Sequence, residues 1–514
     1  MINHAGREIP DSLLAELGKE GYQGLHYRDG LYYKKAAPTV RSNADSARCK
    51  LADSIHDALV KCGVRDGMYF GFHHHFRDGD YIINMVMEEV RRMGIKDITI
   101  CASSMGAAHD PIYEMIKDGT VGSIQSSGVR GKIGEAISEG LLKRPAVIRS
   151  HGGRVRAIEE GDIHIDIAFI GAPTSDECGN ARALGGKSDC GVLSYAMADA
   201  KYADKVVVIT DCLVPFPNVP ASISMTDVDY VCVVDSIGDP KKIVSNVVRV
   251  TQDVRELTMA EYCTKVIALS PYFRDGFSIQ TGGGGAALAV NGMLRPWLEK
   301  SGFQIGFAMG GIMKAMCDLM DAGYVRKIVD AQVFDSAAIE HIRSNPNHVE
   351  ISTSEYANPM NKGAYVNRLD FVILGALEVD TSFNVNVITG SDGIVRGAPG
   401  GHPDTAAGAK CAIIVAPLIR SRFPTVCDRV LTVTTPGEAS DVVVTDYGIA
   451  VNPRRQDLLE AYRGSGLPLK TIEELRDLAY SMAGKPDDTR FGDRIAAVVE
   501  ARDGTVLDVI RTVK

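Results

Sequence analysis

HIDIAFIGAPTSDECGNA at residues 164–181 and LDFVILGALEVDTSFNVN at residues 369–386 read alike: an Asp, an apolar run that closes on Gly-Ala, then a polar turn holding Asp and Asn. Asp166 and Asp370 stand 370 − 166 = 204 positions apart, and Gly119 in MIKDGTV and Gly323 in LMDAGYV repeat the offset, 323 − 119 = 204. DGMYFGF and DGFSIQT echo one another with Gly67 and Gly276 displaced by 276 − 67 = 209, as small loop insertions allow. Solenoid units run about 20–50 residues, so a period this long denotes whole domains. The expectation is a tandem, internally duplicated α/β chain: a polar arm over residues 1–50, similar domains over 51–255 and 256–514, and a site between them.

The rest of the chain fits that plan. Short apolar runs alternate with amphipathic segments, which implies mostly parallel sheets covered on both faces. DGMYFGF, DITICAS, RPAVIRS, IDIAFIG, DKVVVITD and DYVCVVD read as strands of the first half. QIGFAMG, KIVDAQVF, FVILGAL, CAIIVAP, RVLTVTT and DVVVTDYGIAV read as strands of the second. LADSIHDALVKC carries a helical stripe of Leu51, Ile55, Leu59 and Val60 that Gly63 stops. The halves should meet near residues 250–265, and TIEELRDLAYSMAG onward reads as a C-terminal helical cap.

Composition excludes several functions. A chain of 514 residues, 45% hydrophobic and 24% charged, fills two or three cores at about 100–200 residues per domain. A net charge of −9 gives no basic footprint for nucleic acid or an anionic membrane. The 11 cysteines form no C-x-x-C pair, which points to small core residues and to neither a zinc site nor a disulfide framework. MINHAGREIPDSLL lacks a basic-then-apolar leader, and no run reaches about 18 apolar residues, so the expectation is a cytoplasmic protein without bound metal.

The strongest chemical signal is SIQTGGGGAALAV, where an apolar strand enters Gly282, Gly283, Gly284 and Gly285 and leaves into a helix-forming run. Glycines at such a junction present bare N–H groups to phosphate or to a carbonyl gaining negative charge; the plainer alternative is a tight strand-to-helix turn. No Gly-Lys-Ser/Thr follows, so this is not a P-loop. SDGIVRGAPGGHPDTAAGAK combines Gly400 and Gly401 with Arg396, His402, Asp404 and Lys410, which reads as a site loop or as a solvated turn N-capped by Asp404. HHHFRDGD places His73, His74, His75 and Arg77 at a strand end. Adjacent residues of an extended chain point in alternate directions and rarely share one ion, so these residues read as anion binders or as surface histidines. Arg130 in SSGVRGKIG is a further anion candidate. Serine-hydrolase chemistry lacks its G-x-S-x-G elbow.

In several motifs, in order over roughly residues 50–455, the chain resembles the CoA-transferase superfamily: SIQTGGGGAALAV, GGIMKAMCDLMDAGYV, ALEVDTSFNVN, GAPGGHPDTAAGAK and TTPGEASDVVVTDYGIA. Within it, HHHFRDGD, the polar arm and GGHPDTAAGAK resemble the citrate lyase alpha chains, a family of citrate:acetyl-carrier transferases. The resemblance implies exchange of acetyl for citryl on the thiol of a phosphoribosyl-dephospho-CoA group carried by a gamma subunit (acyl carrier protein). Acetate is released, a beta subunit (citryl lyase) cleaves the product, and acetyl-CoA can act as a surrogate. It further implies an oligomer with no cofactor on the chain itself. The implied catalytic residues are Gly283, Gly284, Gly401, His402 and Asp404. Citrate would meet His73, His74, His75, Arg77, Arg130 and Arg396, and the CoA-like group would meet Gly282 to Gly285, Gly400 and Gly401. Class I CoA-transferases place a catalytic Glu before the helix equivalent to IMKAMCDLMDAG; here the loop reads Ala308, Met309, Gly310, Gly311, which implies a reaction without a covalent enzyme thioester. The alternative is a class I enzyme acting on free acyl-CoA and a small carboxylic acid. A sugar-phosphate sensor would need a DNA-binding segment, and a sugar-phosphate isomerase would have neither the duplication nor the GGHPD loop.

Overall fold

The computed structural model describes residues 1–30, 35–39, 49–244 and 251–514. Its two large sheets have ten and eight strands. Seven strands of the first lie side by side in the order Ala146–Ile148, Val121–Ser126, Ile98–Ala102, Tyr69–Phe72, Ile167–Ala172, Lys205–Thr210, Tyr230–Val233. The second sheet has the same order: His348–Glu350, Ile328–Val333, Phe307–Ile312, Ser278–Thr281, Phe371–Gly375, Cys411–Val415, Val442–Thr445. Neighbours within both series are parallel.

The echoed sequence does the same work in each half. Asp166 Oδ2 accepts the Tyr69 N–H at 2.7 Å, and Asp370 Oδ2 accepts the Ser278 N–H at 2.9 Å, so each Asp clamps the strand beside it. In the following turn Asp176 accepts the N–H groups of Cys178 and Asn180 and the Asn180 amide; Asp380 accepts those of Ser382 and Asn384 and the Asn384 amide. The turn needs a left-handed residue before its Asn. Gly179 supplies it at φ +96°, and Phe383 adopts it at +64° because the surrounding bonds hold it there.

Burial on both faces explains why the strands are apolar at nearly every position. Phe371 and Ile373 join one core cluster while Val372 and Leu374 join another, and Cys411 and Ile413 likewise alternate with Ala412 and Ile414. Other expectations are corrected. RVLTVTT makes no strand: its backbone is satisfied by side chains, Val433 N–H by Asp508 at 2.8 Å for example, and only Thr435 bridges to Val385. Leu51 lies in the edge strand Leu51–Ala52 and Val60 is exposed, so the stripe of helix Ile55–Lys61 is narrower than expected.

The C-terminal cap is helical only over Ile472–Ala483; Phe491–Glu500 and Val506–Val513 then form a hairpin that pairs, through Ala497–Val499, with Ala146–Ile148 of the first sheet. The chain thus returns across the 255/256 division, which itself falls inside helix Val254–Ala268; of the expected boundary at 250–265, residue 250 lies outside the described residues. The described part of the N-terminal arm packs on this hairpin. Ile9, Leu13 and Leu14 meet Val498 and Val506, and the Asn3 amide donates to the carbonyls of Val506 and Leu507 at 3.1 and 2.8 Å. Among the described residues no helix is long and apolar enough to cross a membrane.

Candidate functional site in the cleft between the halves

The parallel strands of both sheets end at a shared seam. His151 N–H donates to the Gly400 carbonyl at 2.8 Å, Gly400 N–H to Ser127 at 3.1 Å, and Val129 N–H to Gly397 at 3.3 Å. Backbones approach so closely that a Cβ on Gly128 would stand 2.2 Å from that of Ala398. Above the seam opens a cavity of about 320 Å³ lined from the first half by His74, Arg77, Arg130 and His151, and from the second by Gln280, Gly282, Gly283, Gly310, Tyr356, Gly400, Gly401 and His402. Ligands of open α/β sheets bind at such strand ends.

Of the three histidines, only His74 lines the cleft. Neither His73 nor His75 lines the cavity: His73 Nε2–H donates to the Gly171 carbonyl at 3.0 Å, the His73 and His75 Nδ1 atoms lie 2.9 Å apart, and the buried His75 ring packs on Tyr195 and against the Ala331 backbone of the second half. Their expected contact with substrate is therefore corrected to a packing role. His74 is oriented by Ser103, whose Oγ is 2.6 Å from Nδ1, so its Nε2 edge is the one left to face the cavity. Arg77 reaches across the seam, donating to the Phe334 carbonyl at 3.2 Å with its guanidinium 4.6 Å from the ring centre. Arg130 stands exposed at the mouth. Arg396 is corrected: it pairs with Asp392 at 2.5 Å on the outer surface and does not line the cavity.

The glycine run is divided. Gly282 and Gly283 line the cavity, whereas a Cβ on Gly285 would stand 2.4 Å from a carboxylate oxygen of Glu256, so the start of helix Gly285–Ser301 already faces an acidic group. Gly284 is the N-cap of that helix and lies beside the cavity rather than in its lining.

His402 is at the wall, but both of its ring nitrogens are engaged. Thr435 donates to Nδ1 at 2.7 Å and Nε2–H donates to the Gly375 carbonyl at 3.0 Å, which fixes one neutral tautomer and leaves no lone pair for proton transfer. Burial lowers its pKa to about 4. Asp404 is wholly buried under the seam, accepting from Ser150 Oγ and Gly152 N–H, each at 2.8 Å, and does not line the cavity. It ties the helix of one half to the helix start of the other, a positioning role in place of the expected catalytic one.

Burial raises the Asp404 pKa from 3.8 to about 6. A raised folded-state value means that the native state holds the proton more tightly, so the stabilising contribution is full below about pH 4 and is lost as pH rises to about 6. Its size is up to about 3 kcal/mol. Asp404→Asn is expected to flatten this segment of a melting-temperature profile against pH; an unchanged profile would assign the slope to other groups.

Several residues of the cavity carried no signal that was read. The rings of His74, His151 and Tyr195 form a cluster, with centroids 5.4 Å apart for the two histidines and 4.6 Å from each to Tyr195. His151 Nδ1 is buried with no hydrogen-bond partner among the described residues, and burial together with Arg154 lowers its pKa to about 3. His74 is likewise held well below 6.5 by burial and its neighbours. The wall thus offers neutral imidazoles, which can hydrogen-bond to an anion without carrying charge. Gln280 and Tyr356 exchange hydrogen bonds of 3.2 Å on the facing wall. They occupy the space left by two glycines: a Cβ on Gly310 (φ +96°) would lie 2.5 Å from Gln280, and one on Gly401 would lie 2.4 Å from the Tyr356 hydroxyl.

Comparison with known proteins places this architecture. The family described as "Citrate lyase, alpha subunit (CitF)" matches residues 48–513. The citrate lyase alpha chain of Haemophilus influenzae is 50% identical over 481 residues, covering 93% of this chain and 96% of its own length. A crystal structure of the citrate lyase alpha subunit from Streptococcus mutans in complex with citrate superposes with a TM-score of 0.96 at 50% identity over 100% of both chains. The malonate decarboxylase alpha subunit of Acinetobacter baumannii shares the fold alone, with a TM-score of 0.63 at 15% identity over 82% of this chain and 85% of its own. The chain belongs to the citrate lyase alpha subunit family.

Proposed function

We propose that this chain is the transferase of a citrate lyase complex, exchanging acetyl for citryl on the thiol of a CoA-like group carried by an acyl carrier (gamma) subunit and passing citryl thioester to a citryl-cleaving beta subunit, in the cytoplasm. The observation that carries the reading is the cleft itself: a cavity between two halves, with Arg77, Arg130, His74 and His151 on one side and the Gly282–Gly283 backbone on the other. Citrate has up to three carboxylates, and guanidinium and imidazole donors meet them with charge-assisted and neutral hydrogen bonds. The cavity volume suits one small acid and the end of a thioester.

In the proposed reaction a citrate carboxylate oxygen attacks the acetyl carbonyl carbon and the carrier thiolate leaves, giving a citric-acetic mixed anhydride. The thiolate then attacks the citryl carbonyl and acetate departs, so charge and atoms balance without an added base. Both steps pass through tetrahedral oxyanions, which backbone N–H groups of the cavity-lining Gly282 and Gly283 would stabilise. The test is to mix the purified chain with acetyl-CoA and citrate and follow acetate and citryl-CoA; absence of citryl-CoA in the presence of a folded chain rejects the reading.

The same assay separates the two arginines. Arg130→Ala is expected to raise KM for citrate roughly 10-fold or more while leaving KM for the thioester near wild type. Arg77→Ala should also loosen the contact with Phe334 and so affect both substrates. Equal effects of Arg130→Ala on both substrates would remove it from the citrate subsite.

A further inference from the structure

Outside the cleft, Cys317 on helix Lys314–Asp321, His341 on helix Ser336–Ser344 and His348 at the start of strand His348–Glu350 converge, with one ligand atom from each within 4.8 Å of the others. All three are buried. Each imidazole is held by its far nitrogen. His348 Nε2 lies 2.9 Å from Asp330 Oδ2, and His341 Nε2 lies 3.2 Å from the Asn345 amide and 3.4 Å from Asp321 Oδ1. The two Nδ1 atoms consequently face one another at 2.8 Å, beside the thiol.

This is the layout of a carboxylate–imidazole–metal relay, in which the outer nitrogen donates to an acid and the inner one binds the ion. Tetrahedral zinc, with bonds of about 2.3 Å to sulfur and about 2.0–2.1 Å to nitrogen, sets its donor atoms roughly 3.3–3.6 Å apart. The 2.8 Å nitrogen separation and the 4.8 Å outer limit bracket that range. A plain hydrogen bond between the two imidazoles accounts for their spacing, but not for the thiol at the same point. Nor does it account for the adjoining surface cavity of about 710 Å³, whose rim carries Asp318, Asp321 and Glu340 along with Cys317 and His341. Asp318 is paired there with Lys314 and Glu340 with Arg343, so Asp321, beside His341, is the acid nearest the proposed ion, and the open cavity leaves room for water as a fourth ligand.

We propose that Cys317, His341 and His348 bind one zinc ion through a thiolate and two neutral imidazoles, with the fourth position open to the acidic cavity. Binding releases the thiol proton to solvent. The proton shared between the imidazoles moves to His341 Nε2, where Asp321 accepts it, and His348 keeps its proton on Nε2 toward Asp330. The sulfur and nitrogen set selects zinc over magnesium or calcium. The spacing Cys-x23-His-x6-His matches none of the short zinc motifs, which is why the cysteine count pointed away from a zinc site. The ion would pin two helices and an edge strand behind Ile328–Val333, the strand whose Gln332 reaches the cleft.

The full-length chain, purified in the presence of zinc and dialysed against zinc-free buffer, is expected to retain about one zinc per chain by mass spectrometry. Cys317→Ser should lose most of it while keeping the wild-type circular dichroism spectrum. Titrating the metal-depleted wild type with cobalt(II) should produce a thiolate-to-cobalt charge-transfer band that Cys317→Ser lacks, and this second reading does not depend on a variant folding. Zinc that dialyses away together with absence of the cobalt band, or equal zinc retention in Cys317→Ser, would overturn the assignment.

Discussion

Gly283→Leu is expected to fold as the wild type does and to lose turnover by roughly 100-fold or more, the scale of a lost oxyanion contact. The two halves of that expectation rest on separate observations. A Cβ on Gly283 meets nothing within 4 Å and its φ lies outside the left-handed region, so a side chain costs the fold little and reduces the freedom of the unfolded chain. Yet Gly283 lines the cavity opposite His74 and His151, and a leucine side chain would take up space that the reacting carbonyl needs. Gly285→Leu should behave differently. Its Cβ would press on Glu256, so the loss there should appear in melting temperature as well as in rate. The comparison is made on one preparation by thermal melt and by citryl-CoA formation. A Gly283→Leu enzyme with wild-type turnover would detach this loop from the chemistry.

Much of the architecture was legible because it is set locally and stated twice. Asp166 and Asp370, each clamping a neighbouring strand, and the Asp-x-x-x-Asn turns that follow were visible as repeated letters before their bonds were known. The alternation rule also separated His74 from His73 and His75 in principle, although nothing in the letters said which side faced the cleft. The C-terminal hairpin, where the expectation is a helical cap, also has a sequence signal: RIAAVVEARDGTVLDVIRTV is apolar on both sides of Asp503-Gly504, and Gly504 takes the φ of +90° that such a turn requires. The misses at the site have another origin. His151 and Tyr195 come from distant segments of the first half and Tyr356 from a segment far from Gln280 in the second, and the two pairs share one cavity only when the halves dock, so no spacing in the sequence joins them. Asp404 and His402 stand in the loop at the seam, but their polar atoms are taken up by protein partners. Whether a polar side chain faces a cavity or is used up by Ser150, Gly152, Thr435 and Gly375 depends on tertiary partners that the sequence does not list in order.

Incubation with acetyl-CoA alone, followed by borohydride, is expected to yield no reduced carboxylate on the enzyme, and initial rates with both substrates should intersect as for a ternary complex. A covalent route needs a carboxylate nucleophile in the cleft. At the position that the resemblance to class I CoA-transferases assigns to it, the strand Phe307–Ile312 bulges between Gly310 and Gly311, and neither residue has room for a side chain as its neighbours are packed. Gly310 sits at φ +96° with its would-be Cβ 2.5 Å from Gln280, and a Cβ on Gly311 would fall 1.7 Å from the Phe334 ring. The absence of a Glu there is therefore enforced by the backbone and by packed neighbours. Among the described residues lining the cavity the one carboxylate is Asp78, exposed on the turn after Arg77 at the mouth. The attacking carboxylate must then come with the substrate, and the enzyme contributes by holding two reactants in register, which is worth up to about 7–11 kcal/mol in well-oriented systems. Arrangement of this kind makes a definite distinction. If thioester alone modifies the chain, the modified residue will be Asp78 or a group brought in by movement of the halves, and the non-covalent route is wrong. If citrate must be present before any acetyl leaves the thiol, the nucleophile is the substrate's own.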